Sequence, residues 1–260
     1  MGSLYTQHFT SPNQPFGRNF NTFDLIYEGE LAQMSSTKPL FAALIKGLTS
    51  PISDAEGFNV NIVNAEMVAK ERGIFVNEQK SRDPSTQAYS SLVTLVARSG
   101  SRAPSLSRAT SANDTRITSI AAAANAGALG GGGGQEDVGT QHIIAGYCSD
   151  NSPFISRVDR FATSFVPEGT LLICHNYDSP GKIGLVGSIL GREGVNINFM
   201  SVAPAAHTSA NVVKGEGKDN GALETNEALM ILGVDKEVGE NVKKELVNAK
   251  GVLNVSSVTL

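Results

Sequence analysis

Asp178 and Asn196 bracket the stretch of this 260-residue chain whose residue types best suit binding of a small polar ligand. Asp178-Ser179-Pro180-Gly181 reads as a strand end turning sharply into a helix, and Gly194-Val195-Asn196-Ile197 as the start of the next strand. The first turn of a helix offers N–H groups without intrahelical acceptors and the positive end of the helix dipole, which suits a carboxylate. An aspartate beside it suits an ammonium. Together they can hold both ends of a free amino acid, so the first expectation is a small-molecule sensor. Asp178 also has a structural reading, as a cap on a helix that has Pro180 at its first position, with Asn196 satisfying a turn.

Gly181, Gly184, Gly187 and Gly191 fall three or four apart on one side of that helix. Each costs up to about 1 kcal/mol of helix stability relative to alanine, which close approach to a sheet or a partner helix can offset. A second set of candidates is cationic. Lys70, Arg72, Arg157 and Arg160 could form an anion site, since guanidinium forks match phosphate geometry. His142 and His175 read as lone strand histidines, and no Cys/His spacing points to a metal. No catalytic set of residues stands out.

The elements that must position these groups fall into two blocks. Residues 1–22 are polar and aperiodic and are expected to be a flexible tail. Strands are expected at Phe23–Gly29, Ile74–Glu78, Ser91–Arg98 and His142–Cys148, with two more in Phe154–Phe165. Pro39–Leu48 reads as a helix with Gly47 near its end, and Asn64 as the cap of a second helix, Ala65–Arg72, stopped by Gly73. Asp150-Asn151-Ser152-Pro153 reads as a turn. Residues 99–138 are rich in Ser, Ala and Gly and are expected to be a disordered insertion. After a hinge at Val166–Gly169, the order over 167–260 is β-α-β-β-α-β, the split βαβ of a ferredoxin-like sandwich, with a loop at 203–225. The fold class expected is α+β.

Bulk properties exclude several roles. The net charge of −4 gives no electrostatic reason to expect nucleic acid. No apolar run reaches the ~20 residues that span a bilayer. Cys148 and Cys174 are too few for a disulfide framework; they suit a reducing, cytoplasmic setting and read as two buried free thiols.

The ordered strings Lys70-Glu71-Arg72-Gly73-Ile74, Val158-Asp159-Arg160-Phe161, Pro167-Glu168-Gly169, Asp178-Ser179-Pro180-Gly181, Gly194-Val195-Asn196-Ile197 and Asn226-Glu227-Ala228-Leu229-Met230 carry a family likeness. Residues 167–260 resemble an ACT domain, a regulatory module that binds amino acids. Residues 23–260 resemble the C-terminal regulatory half of D-3-phosphoglycerate dehydrogenases, with 23–166 similar to their intervening, allosteric substrate-binding domain. The resemblance implies an effector, serine first, held by Asn176, Asp178, Ser179, Pro180 and Gly181 of one chain and Asn196 of another, at an ACT–ACT interface of a homodimer or higher homo-oligomer. It implies a phosphate-like ligand or substrate for the first domain, with Arg160 matching best. It implies NAD only for a full-length enzyme. This chain has no Gly-x-Gly-x-x-Gly on a strand-turn-helix, and none of its histidines sits in a catalytic set, so it is expected to lack the catalytic and nucleotide-binding domains, to hold no cofactor and to be inactive alone. A regulatory fragment of a split gene, a truncated gene model and a free-standing paralogue all fit that reading. The alternative function is a ligand-free ACT assembly module that joins a separate catalytic chain.

Overall fold

The computed structural model describes residues 1–10, 21–50, 59–81, 89–98, 141–205 and 227–260. Two sheets carry the architecture, and it is α+β as the sequence implies. The first sheet has the order β2-β1-β3-β4-β5-β6: β1 is Thr22–Gly29, β2 Phe75–Lys80, β3 Ser91–Arg98, β4 Gln141–Ser149, β5 Ser152–Val158 and β6 Phe161–Phe165. β1 and β2 are parallel, which requires a crossover. Three helices supply it: α2 (Glu30–Gln33), α3 (Lys38–Thr49) and α4 (Ala65–Glu71). The remaining neighbours are antiparallel. Two tight turns join the last three strands. Asp150 and Asn151 both have positive φ, 49° and 62°, as a two-residue hairpin matched to sheet twist demands. Asp159, at φ 50°, opens the second.

The second sheet has the order β10-β7-β9-β8, from β7 (Thr170–Tyr177), β8 (Ile197–Pro204), β9 (Glu227–Val234) and β10 (Val252–Thr259). With α5 (Lys182–Arg192) and α6 (Glu240–Asn248) this is the ferredoxin-like βαββαβ order. Both long insertions expected from the sequence fall between antiparallel neighbours. Arg98 pairs with Gln141, and Pro204 with Ala228. The expected insertion at 99–138 lies outside the described residues. So does most of the 203–225 loop, but Ala203 and Pro204 complete β8 and Ala205 bridges to Phe161.

Alternation along β7 and β9 dictates how the sheets meet. Leu172, Cys174, Met230 and Leu232 join Val186, Ile189, Leu190 and Leu246 of α5 and α6. Leu171, Ile173, Leu229 and Ile231 point the other way, into the core of the first sheet beside Phe161 and Phe165. The central strands β7 and β9 are thus covered on both faces. Cys174 is buried there, and desolvation pushes its thiol up to about 12; Cys148, expected to be buried too, is exposed by the hairpin turn.

Residues 1–10 overturn the expectation of a flexible tail over 1–22, of which 11–20 lie outside the described residues. Gly2–Phe9 forms α1, and Leu4, Tyr5 and Phe9 are core residues. A helix of eight residues is unstable by itself and needs tertiary support. α3 gives it at one side: Thr6 Oγ1 donates to Leu48 O at 3.2 Å. β10 gives it at the other: the Gln7 side-chain amide exchanges two hydrogen bonds with the backbone of Thr259, at 2.9 and 2.8 Å. Gly47 does not end α3, which runs on to Thr49. It lets α1 approach, since a Cβ there would lie 2.8 Å from Ser3 N. Gly47→Ala is therefore expected to cost about 1–3 kcal/mol by overpacking, read as a lower urea midpoint. No described helix is long and apolar enough to cross a membrane.

Candidate functional site

The first turn of α5 is where the sequence-derived effector residues gather. The helix begins two residues later than Pro180: its N-cap is Gly181, in the left-handed conformation at φ 86°. No side chain caps it, so the capping role for Asp178 does not hold. Asp178 and Pro180 are exposed and Ser179 half-buried, which leaves the turn open. Asn176 sits beneath. It shares the helix-side face of β7 with Leu172 and Cys174, and it is only 3 % exposed. Its Nδ2 donates to Tyr177 O at 3.0 Å, while its Oδ1 is buried with no hydrogen-bond donor among the described residues. An orphaned buried acceptor costs about 1–3 kcal/mol. Lys182, which the sequence reading passed over, adds a cation to the first turn; its Nζ donates to Lys250 O. Its position directly after Gly181 was the signal.

Asn196 is elsewhere. Tyr177 pairs with Glu227 at one end of the sheet, and Thr170 and Ile197 both pair with Val234 at the other. Seven residues of extended chain separate these ends, about 24 Å. Within one chain Asn196 and Asp178 do not meet. Asn196 N–H donates to Asp235 Oδ1 at 2.9 Å, and its Nδ2 donates to Asn198 Oδ1 at 2.7 Å. The helix glycines do not press on the sheet either. Cβ atoms at Gly184, Gly187 and Gly191 would meet nothing within 4 Å, because these positions lie opposite Val186, Ile189 and Leu190. Ile183 beside them is 51 % exposed.

The four candidate cations separate into pairs. Lys70 lies on α4 and Arg72 at its C-terminal end, next to the edge strand β2. Arg157 and Arg160 lie on β5 and its turn, four strands away, or about 19 Å. The second pair lines a cavity of about 430 Å³ between the two sheets and α1. His8, His142, Asp159 and His175 line it too. Asp159 is a turn residue whose carboxylate accepts from Ile143 N–H at 2.9 Å and lies 3.3 Å from His142 Nδ1. Its carbonyl accepts from Arg157 Nε at 2.6 Å. The terminal guanidinium nitrogens of Arg157 have no acceptor among the described residues, and burial lowers its pKa against the opposing pull of Asp159. Arg160 donates to Glu227 Oε2 from the first sheet to the second. The same oxygen lies 2.6 Å from His175 Nε2. Desolvation, then Arg160, lowers the His175 pKa, so the neutral ring donates from Nε2 to the carboxylate. The three histidines, drawn from α1, β4 and β7, share no local sequence signal.

The architecture is thus a mixed sheet packed on a ferredoxin-like βαββαβ unit, with a cavity lined by histidines and arginines at the seam. Residues 1–121 match the family described as the D-3-phosphoglycerate dehydrogenase intervening domain. Over 240 residues, 92 % of this chain and 34 % of the relative, the sequence is 29 % identical to D-3-phosphoglycerate dehydrogenase of Methanocaldococcus jannaschii. It is 26 % identical over its full length to the Bacillus subtilis D-3-phosphoglycerate dehydrogenase, covering 37 % of that protein. It is 29 % identical over 202 residues, 77 % of this chain and 25 % of the relative, to the chloroplastic D-3-phosphoglycerate dehydrogenase 2 of Arabidopsis thaliana. The chain spans about a third of the length of such relatives.

Proposed function

We propose that this chain is the regulatory portion of a D-3-phosphoglycerate dehydrogenase of serine biosynthesis, and that its ferredoxin-like unit is an ACT domain that binds an amino acid such as serine at the first turn of α5. The observation that carries the reading is the buried, unpartnered Oδ1 of Asn176 below an uncapped helix N-terminus. The ligand carboxylate accepts from the first-turn N–H groups beside Lys182. Its ammonium donates to Asp178 and to Asn176 Oδ1. A second copy supplies Asn196, which is too far away in the same chain. The open glycine face of α5 and the exposed Phe199, Met200 and Val202 of the edge strand β8 support a homo-oligomeric contact on that side. β6 runs beside β8, with Thr163 Oγ1 3.4 Å from Ser201 Oγ and Phe161 bridged to Ala205, so a partner copy meets the exposed side chains of β8 and not a bare backbone edge. A ligand spanning two copies favours one arrangement of the pair, which is regulation by population shift. NAD and the oxidation of phosphoglycerate belong to the portion of such a protein that this chain does not span. The cavity at Arg157 and Arg160 is a second, anion-binding site on this reading.

Thermal unfolding with L-serine tests it. Ligand at a hundred times Kd stabilises by about 2.7 kcal/mol, and Asp178→Ala and Asn176→Ala should each remove that gain. Stabilisation unchanged in both variants would take the ligand away from this turn. A wild-type protein that is dimeric yet indifferent to amino acids would instead be the ligand-free assembly module.

A further inference from the structure

We infer that Glu227 ties the α5 turn to the first sheet, and that filling the turn weakens its hydrogen bond to His175. The inference rests on the effector reading of Asn176. Consecutive strand residues face opposite ways, so Asn176 looks toward α5 while His175, one peptide earlier, looks into the seam between the sheets. A ligand that engages Asn176 Oδ1 draws that peptide toward α5. His175 then withdraws from the other face.

The seam is built to register that movement. Glu227 Oε2 takes both the His175 Nε2–H and the Arg160 guanidinium, so one carboxylate oxygen is shared between the two sheets. Glu227 is also held by its backbone: its carbonyl accepts from Ala205 N–H at 2.8 Å, and Ala205 bridges to Phe161, the neighbour of Arg160. The Phe161 ring packs edge-on to His175 at 5.4 Å between centroids and lies 5.4 Å from the Arg160 guanidinium carbon. Arg160, Phe161, His175 and Glu227 thus form a closed ring of contacts with two members from each sheet. Glu227 pairs with Tyr177 in the ladder, within two residues of the effector turn. When His175 withdraws, the shared oxygen is left to Arg160 alone. Occupancy of the α5 turn is thereby converted into a change in how the first sheet is held.

The linkage has an uncommon consequence. If binding has to loosen the His175–Glu227 bond, removing the bond beforehand must help binding. Calorimetric titration of L-serine into the full chain should give a Kd about fivefold lower in Glu227→Leu, which leaves no acceptor for His175, than in wild type, the lower end of common coupling strengths. His175→Leu should tighten binding likewise and decides the matter if the Glu227 variant does not fold. In the wild type, the imidazole ¹⁵N resonances of His175 should move on saturation with L-serine, a signature that packing damage would not produce. Wild-type binding with equal or weaker affinity in both variants, and a still His175 signal, would overturn the tie and leave the effector site standing. A wild-type protein that binds no L-serine would overturn both.

Discussion

Ile231→Ala should destabilise the chain by about 2–5 kcal/mol, and should do so in both sheets at once. Ile231 is fully buried at the centre of β9, paired with Ile173 on one side and Ser201 on the other. Its side chain belongs to the cluster that also holds Leu25, Tyr27 and Leu95 of the first sheet. Deleting three carbons there leaves a cavity that neither rigid sheet can collapse to fill. Because the cluster is continuous across the seam, amide protection in β1 and β3 should fall together with that in β9 when hydrogen exchange is measured. Leu232→Ala is the matched control. It faces α5 and α6, so its loss should be read mainly in the ferredoxin-like unit. If the Ile231 variant loosens β9 and leaves β1 at its full protection, the two sheets are separate bodies that merely touch.

That two-sided burial was written in the chain more plainly than its partner was. Leu171-Leu172-Ile173-Cys174 and Ala228-Leu229-Met230-Ile231-Leu232 are unbroken apolar runs, and a strand solvated on one face alternates instead. The runs state that something covers each face. They cannot state that the cover is a six-stranded sheet whose strands are drawn from between Thr22 and Phe165. Local chemistry was the readable part: Asn151 and Asp150 in a turn, Gly73 stopping α4 at positive φ, and the βαββαβ order. α1 was not readable, because Ser3, Thr6, Gln7 and His8 break its apolar pattern and its stability comes from α3 and β10. The site divides the same way. The α5 turn is a contiguous string, so its residues could be named together as a candidate from the sequence. The cavity draws His8, His142, Arg157 and His175 from four elements, and the four cations that look alike in sequence divide between the end of α4 and the β5 turn.

Acidification should unlock the same seam through His8. The ring is 5 % exposed, and its Nδ1 shares a hydrogen bond with Ser256 Oγ on β10 at 2.5 Å. Phe9, the next residue, stacks on His142 at 4.1 Å between ring centroids. Desolvation by burial is the largest influence on His8 and lowers its pKa from 6.5 to about 4; Asp159 opposes the shift, and His142 and His175 add to it. The folded-state value lies below the unfolded one, so the unfolded chain takes up the proton first. The contribution of neutral His8 is complete above about pH 6.5 and is lost as the pH falls toward about 4. At 1.36 kcal/mol per unit the loss is about 3 kcal/mol, a large share of the stability of an ordinary domain. His175, also lowered by burial, acts in the same direction. Urea unfolding at pH 7.5, 6 and 5 should therefore show stability rising with pH across this window. His8→Asn, which keeps a hydrogen-bonding group for Ser256 and cannot titrate, should be less stable at pH 7.5 and have a visibly flatter slope. A wild-type slope retained in that variant would assign the titration to other groups, and α1 would hold the two sheets together by packing and the Gln7–Thr259 pair alone.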